Sequence, residues 1–544
     1  MKKFQLSLIT VGVLSLVACE SVPHATNRSV SGVAVTEIQP VIVAPTSYQN
    51  SNMTKMVAPA PVMMAQESTV PVEDTEKYQN NEPNPIQQVS QNPVSTFSID
   101  VDTGSYSNVR RYLNDGRLPP VQSVRLEEVL NYFDYQYAQP TGNQPFALHT
   151  TTFDSPWKKE AKLIKIAIQA KDIQSKELPP ANLVFLVDVS GSMDDSNKLP
   201  LVKKTLRLLT EQLRPQDKVT IITYASGETL ALEPTSGSEK DKILAVINSL
   251  QARGSTSGER AIRLAYEQAE KAKVKDGINR ILIATDGDFN VGITDFDTLK
   301  GMVAEKRKSG ISLTTLGFGT GNYNEKLMEQ LADAGDGNYS YIDNENEAKK
   351  VLQRQLSSTL ATVAQDVKIQ VEFNPKTVKE YRLVGYENRV LKQEDFNNDK
   401  VDAGDVGAGH QVTAFYEIIP VGKNGWLDSS RYQTAKATEN KGNEYGYLKL
   451  RYKLPNQSTS NLIETPLLMQ SQAFEKADRD SKFAVATVAY AEQLRGGKYN
   501  GDMNWQNILD LAQNNIGNDP HGLRKEFVEL VKIAQSLSSK AEKQ

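Results

Sequence analysis

Residues 182–188, NLVFLVD, form a continuous apolar run that ends on an aspartate, and residues 189–197, VSGSMDDSN, follow as a loop of small and acidic side chains. A strand without a polar side is buried on both faces, as in a parallel sheet, and it delivers its terminal aspartate to the sheet edge. Downstream, a helix beginning near Lys198 carries Leu199, Val202, Leu206, Leu209 and Leu213 at the helical period. The run KVTIITY (218–224) is the next strand, followed by an acidic turn and a helix around 240–250. After Gly254-Ser-Thr-Ser-Gly258, a helix passes through Ala261, Ala265 and Ala269. RILIATD (280–286) repeats the first pattern and again closes on an aspartate. A helix near 296–308, the strand ISLTTLGFG (311–319) and a helix near 325–334 complete the alternation. This predicts an α/β fold with a doubly wound, mostly parallel sheet, Rossmann-like in its winding. Such a sheet binds its ligand at the carboxyl ends of the strands, where the strand order reverses.

The side chains expected at that edge include Asp188, Ser190, Ser192, Thr256 and Asp286. Short hydroxyls and carboxylates, without Cys or His, suit a hard cation such as Mg²⁺ in octahedral oxygen coordination. Asp188, Ser190 and Ser192 are two residues apart, so their side chains can point the same way while Gly191 relieves crowding. Neutral hydroxyls leave the charge of the ion only partly compensated, and an open position then attracts an anionic oxygen. That is binding chemistry. The neighbouring Asp194, Asp195 and Asp288 read as surface charge or as outer support.

Asp188-Val-Ser190-Gly-Ser192, Thr256 in Gly-Ser-Thr and Thr285-Asp286-Gly287 together resemble the metal-ion-dependent adhesion site of von Willebrand factor type A domains, over about residues 180–358. The resemblance implies that Ser190, Ser192 and Thr256 coordinate Mg²⁺ or Mn²⁺ directly, with Asp188 and Asp286 acting partly through water. It also implies a protein partner whose Asp or Glu carboxylate completes the shell. The other reading of these residues is a capped loop that binds no metal.

Around this domain (179–358) the chain divides into an N-terminal α+β region (95–178), a β-rich region (359–470) and a helical C-terminal region (471–544). Alternating FALHTTTFD (146–154) and LIKIAIQAK (163–171) precede the domain, and VKIQVEFN (367–374), HQVTAFYEI (410–418) and YLKLRYKLP (447–455) follow it. Short alternating strands on both sides predict one β-sandwich built from both flanks, with the α/β domain inserted between them. Leu126, Val129, Leu130 and Phe133 form a helical stripe expected in a core, and the tail carries Phe483, Ala486, Tyr490 and Leu494 on one helix face, then helices over 505–512 and 523–537. The "VLNYF"-type segment and the two C-terminal stretches DAGDVGAGHQVTAFYEI (402–418) and YLKLRYKLP resemble the YfbK-like family of bacterial lipoproteins with a type A domain.

The N-terminus reads as an address. MKKFQLSLITVGVLSLVAC has a short basic start and an apolar stretch from Phe4 to Ala18, the form of a secretory signal over residues 1–18. Leu16-Val17-Ala18-Cys19 resembles the lipobox of bacterial lipoproteins, which implies that Cys19, the single cysteine, carries the lipid. Glu20 stands where the enterobacterial inner-membrane retention signal has Asp, which points to the outer membrane, periplasm-facing or at the surface. Residues 19–94 are rich in Ser, Pro, Gln and Asn and are expected to be a disordered tether, with Met53, Met56, Met63 and Met64 as a weak candidate for copper.

Composition narrows the function. With 62 Lys+Arg against 66 Asp+Glu the net charge is −4, which excludes a globally basic nucleic-acid binder. One cysteine excludes an internal disulfide framework and a thiolate zinc site. Asp102-Thr-Gly-Ser105 imitates the loop of pepsin-like proteases without a second copy, and the four histidines are scattered, without HExxH. Asp100 to Arg111 fails as a calcium loop at its twelfth position, and Asp395, Asn397, Asp399 and Asp402 lack the glycine and glutamate such a loop requires. The expectation is a lipid-anchored envelope protein that is a binding module and not an enzyme. The alternatives are a structural envelope lipoprotein whose metal site serves only the fold and, more remotely, a hydrolase.

Overall fold

The computed structural model describes residues 76–99, 102–173, 178–255, 258–287, 296–358, 362–428, 442–455 and 457–541. The signal segment, Cys19, the methionine cluster, Asp100, Thr256 and Asp288 lie outside them. In chain order, β1 (Gln87–Gln88) and β2 (Val94–Ser98) precede α1 (Gly104–Asn114), α2 (Leu126–Asn131) and the hairpin of β3 (Phe146–Asp154) and β4 (Lys162–Ala170). The central unit begins with β5 (Ala181–Asp188), α3 (Leu199–Gln212), β6 (Lys218–Tyr224), β7 (Glu228–Ser236), α4 (Lys240–Ser249) and α5 (Gly258–Lys271). It continues with β8 (Ile278–Thr285), α6 (Phe296–Lys306), β9 (Ser312–Gly317), α7 (Glu325–Ala334), β10 (Tyr339–Tyr341) and α8 (Glu345–Ser358). The chain then forms β11 (Thr362–Phe373), β12 (Val378–Val384), β13 (Gly404–Gly407), β14 (Gln411–Pro420), β15 (Glu444–Lys453), β16 (Asn461–Leu468) and β17 (Ser471–Gln472). Three helices close it: α9 (Arg479–Leu494), α10 (Trp505–Asn514) and α11 (Leu523–Ala541).

The central sheet has the order β10-β9-β8-β5-β6-β7, and every pair is parallel except β6 with β7. Leu183, Phe185 and Val187 of β5 pack with α3, α4 and α8, whereas Val184 and Leu186 pack with α5, α6 and α7. Helices on both faces are why the strand is apolar throughout. Strand β5 has β6 on one side and β8 on the other, so the winding reverses direction there. The antiparallel β7 replaces the acidic turn expected before α4. It is an edge strand with Leu232 buried and Glu233 and Pro234 exposed, a pattern that protects a free edge from pairing.

Strands from both flanks share the other two sheets, as expected from their alternation. One sheet has the order β1-β12-β14-β4-β3-β17, and the other β13-β11-β15-β16 with β2 also on β11. Strand β4 pairs with β14 from Gln169 opposite Gln411 to Lys162 opposite Ile418. Ile164, Ile166 and Ile168 face Val367, Ile369, Leu448 and Leu450 across one core. On the other side of the larger sheet, Leu163 and Phe415 enter a second core formed by α1, α2, α9, α10 and α11. The C-terminal helices therefore share their core with the stripe of Leu126, Val129, Leu130 and Phe133. Among the described residues, no helix is long and apolar enough to cross a membrane.

Part of the expected tether is bound to the body. The Glu76 carboxylate pairs with Arg111 at 2.7 Å and accepts from the Gly321 amide at 2.9 Å, the Lys77 amide donates to the Tyr323 carbonyl, and β1 pairs with β12. These are main-chain and ionic contacts, which need no apolar period and so leave no trace in hydropathy.

Scaffold arginines fix the central unit to its flanks. Arg110, 2% exposed, reaches Asp343, Glu347 and Glu526, and Arg125 reaches Glu325 and Glu329 of α7 as well as Glu128. Asp102 accepts from the Tyr339 amide at 2.9 Å, and a Cβ on Gly104 would lie 2.3 Å from the Tyr339 ring. The protease-like stretch is thus part of a buried seam, and the imitation calcium loop is spent on Arg451 with Asp399 and Arg307 with Asp402.

Candidate functional site

The carboxyl end of β5 is held between two neighbours. Asp188 stands opposite Tyr224 of β6, and Val187 opposite Ala284 of β8, so Asp188 and Thr285 meet at the point where the winding reverses. Asp188 is fully buried; one carboxylate oxygen accepts from the Ser190 amide at 2.9 Å and the other from the Thr285 hydroxyl at 3.0 Å. Burial pushes its carboxyl up to about 6, with the nearby Asp286 adding to the effect, against the pull of the Ser190 and Thr285 hydrogen bonds. A carboxylate so placed gains from any cation that joins it.

The loop after Asp188 is shaped by backbone pairing. The Val189 amide donates to the Tyr224 carbonyl, the Arg253 amide to the Val189 carbonyl, and the Gly191 amide to the Gly254 carbonyl at 2.9 Å. A Cβ on Gly191 would sit 3.3 Å from that carbonyl oxygen, a tight approach to backbone between the two serines. Met193 is buried beneath the following turn, Gly191–Asp194, and anchors it. The result sets the Ser190 and Ser192 hydroxyl oxygens 3.0 Å apart, Ser190 buried and Ser192 exposed, so the site opens outward.

Asp286 has a different company. Its carboxylate accepts from Lys198 Nζ at 3.0 Å and from Asn322 Nδ2 at 3.2 Å, and Lys198 Nζ also donates to Asn322 Oδ1 at 3.3 Å. Lys198 and Asp286 are 5% and 0% exposed. The slot for the lysine is cut by Gly319, at φ +78°, where a Cβ would meet Lys198 Cε at 2.4 Å. Four of the five expected site residues, Asp188, Ser190, Ser192 and Asp286, thus gather at one sheet edge, and Thr256 lies outside the described residues. Lys198 and Asn322 were not expected. Two carboxylates at one buried edge require a counter-cation when no metal is bound, and Lys198 is the lysine at the end of the loop itself, which is the signal that finds it.

The donor set fits a hard divalent cation. Six oxygens about 2.0–2.1 Å from Mg²⁺ lie about 2.9–3.0 Å from their neighbours, the separation of the two serine oxygens. Among the described residues, no three His, Cys, Asp or Glu side chains form a group that could hold a metal ion, and this site differs in drawing on hydroxyls. Asp194 and Asp195 are exposed, as expected of surface charge.

The family models that match the chain agree with this architecture. Residues 182–355 match the family model of the von Willebrand factor type A domain, residues 72–165 a model described as von Willebrand factor, and residues 358–537 one described as uncharacterized protein YfbK, C-terminal. The chain is similar to uncharacterized protein YfbK of Escherichia coli (strain K12), 47% identical over 473 residues that cover 85% of this chain and 82% of the relative. It is also similar to inter-alpha-trypsin inhibitor heavy chain H4 of Homo sapiens, 28% identical over 161 residues, 28% of this chain and 17% of that one. Among solved structures, von Willebrand factor type A from Catenulispora acidiphila aligns with a TM-score of 0.37 at 14% identity, covering 70% of this chain and 89% of that chain.

Proposed function

The chain belongs to the YfbK family, with its type A domain set between two flanks, and from this we propose that it is a lipid-anchored cell-envelope protein that binds a protein partner through a divalent cation. Ser190, Ser192 and Thr256 hold Mg²⁺ or Mn²⁺, with Asp188 and Asp286 behind them. The observation that carries this is the pair of serine oxygens 3.0 Å apart beside Asp188, open to solvent at Ser192. A bound ion supplies a Lewis-acid point for a carboxylate oxygen from the partner. Asp188 orients the loop through the Ser190 amide, and its charge favours the ion. The similarity to inter-alpha-trypsin inhibitor heavy chains is consistent with protein binding. Cys19 carries the lipid in this reading, placing the protein at the outer membrane, and the protein is not an enzyme.

Thermal unfolding of the full chain with Mg²⁺, Mn²⁺ or EDTA, beside Asp188→Ala, tests the site. An ion bound only by the native state raises stability by about 2.7 kcal/mol at a hundredfold excess over Kd. A rise with metal that is absent in Asp188→Ala supports the metal site, and no rise in either chloride or acetate rejects it; the second reading, a structural envelope lipoprotein whose metal site serves only the fold, is rejected by capture of a protein partner that is lost in EDTA and in Asp188→Ala.

A further inference from the structure

The pairing of Lys198 with Asp286 extends the metal-site reading and rests on it. Three features fix this ammonium in place. Gly319 leaves room for its methylenes, Asn322 contacts both Nζ and the Asp286 carboxylate, and the Lys198 side chain is 5% exposed beside a fully buried partner. The loop bearing Asn322 is itself pinned by Glu76 at the Gly321 amide and Lys77 at the Tyr323 carbonyl. The lysine is therefore a fixed charge of the site, 3.0 Å from one of its two buried carboxylates.

We infer that Lys198 is a specificity-determining residue: it spends the charge of Asp286, so that a divalent ion in the site stays under-neutralised and binds well only together with an anionic oxygen. The two carboxylates less the ammonium leave one negative charge against two positive ones. Ser190 and Ser192 contribute donors without charge, and Asp194 and Asp195 stand in solvent, where their influence is screened. One external carboxylate restores neutrality. With an uncharged residue at 198, Asp188 and Asp286 neutralise the ion unaided, and the demand for an anionic ligand disappears. Because coupling between two ligands is reciprocal, the ion strengthens carboxylate binding by the factor with which the carboxylate strengthens the ion. Lys198 thus selects a carboxylate-bearing partner over a neutral one.

The test measures Mg²⁺ and Mn²⁺ affinity of the full chain by titration calorimetry and by thermal unfolding, in chloride and in acetate at equal ionic strength, for wild type, Lys198→Met and Asp188→Ala. Wild type is expected to gain at least about fivefold in metal affinity from acetate. Lys198→Met is expected to bind metal at least about tenfold more tightly in chloride and to gain less than about twofold from acetate. The acetate dependence of wild type needs no variant, and it decides the matter if Lys198→Met does not fold. Equal metal affinity in Lys198→Met and wild type, or a wild-type affinity indifferent to acetate, overturns the inference and leaves the metal site standing. Metal binding absent from wild type in both salts, as in Asp188→Ala, overturns the site itself and the inference with it.

Discussion

Replacing Arg125 with Met tests whether the central unit is held by charges that its scaffold inserts. Arg125 Nε donates to Glu325 at 3.0 Å and lies 3.3 Å from Glu128, and Nη2 donates to Glu329 at 2.7 Å. All four side chains are 1–3% exposed. Met keeps most of the aliphatic volume and removes only the cation, leaving carboxylates buried without it. Removing one partner of a buried ion pair costs about 3–5 kcal/mol. For a cooperative unit of roughly 450 residues, with about 2.1 cal/mol/K of unfolding entropy per residue, this lowers Tm by about 3–5 °C. The pH dependence has a definite sign. Burial already holds the Glu329 carboxyl above its usual range, with Arg125 pulling it down. Without Arg125 it rises further, so the native variant binds more protons than the unfolded chain, and the variant recovers stability as pH falls from 8 toward 5. Scanning calorimetry at pH 8 and pH 5 reads both effects. A loss below about 1 kcal/mol at pH 8, or a deficit that widens on acidification, refutes the reasoning.

Three further outcomes are expected. Burial pushes Asp405 up to about 8, above its ordinary value of 3.8, so its contribution to stability is complete below pH 4 and is lost as pH rises through 8; Asp405→Asn flattens the fall in Tm between pH 5 and 8, and parallel melting curves for the two proteins count against this. Gly319→Ala costs about 1–3 kcal/mol by denaturant unfolding, because φ is +78° and the new Cβ meets the Lys198 side chain; a neutral result shows that the loop relaxes. Phe133→Ala removes a ring seated 5.1–5.4 Å from Tyr106, Phe483 and Phe527, and costs about 3–5 kcal/mol. Hydrogen exchange checks its reach: α2 and α9 lose protection together, and loss confined to α2 contradicts a shared core.

The parts of the fold that could be read directly are those whose burial imposes a period. Strand β5 is covered on both faces and is apolar throughout, and β4 alternates because its two faces meet different layers. Strand β7 escaped because Glu233 and Pro234 on a half-exposed edge imitate a turn, and β10 is three residues long, too short for any period. Residues 76–94 read as tether because their contacts are mostly polar, ionic or main-chain, and Val89 alone enters the core of the sandwich, which is too little to make a period. Within the site, Asp188, Ser190, Ser192 and Asp286 were legible through their spacing and their strand ends. Lys198 carries a signal in its place at the end of the site loop, whereas Asn322 was not legible, since it is 36 residues from Asp286 in the chain and only the fold brings them together. The same holds for Arg125 and Glu329, 204 residues apart.

The pairing of β4 with β14 also sets a timetable for the nascent chain. Gln169 and Gln411 lie side by side in the sheet but 242 residues apart in the sequence, with the entire central unit between them. At about 5–20 residues per second, β4 is made about 12–50 s before its partner exists. During that interval it presents Ile164, Ile166 and Ile168 on an open edge, the kind of surface that seeks other chains. The central sheet, by contrast, draws its strands only from residues 181–341 and can close while the scaffold waits. Insertion therefore makes the type A domain the first part able to assemble, and leaves the sandwich that holds it to be sealed last.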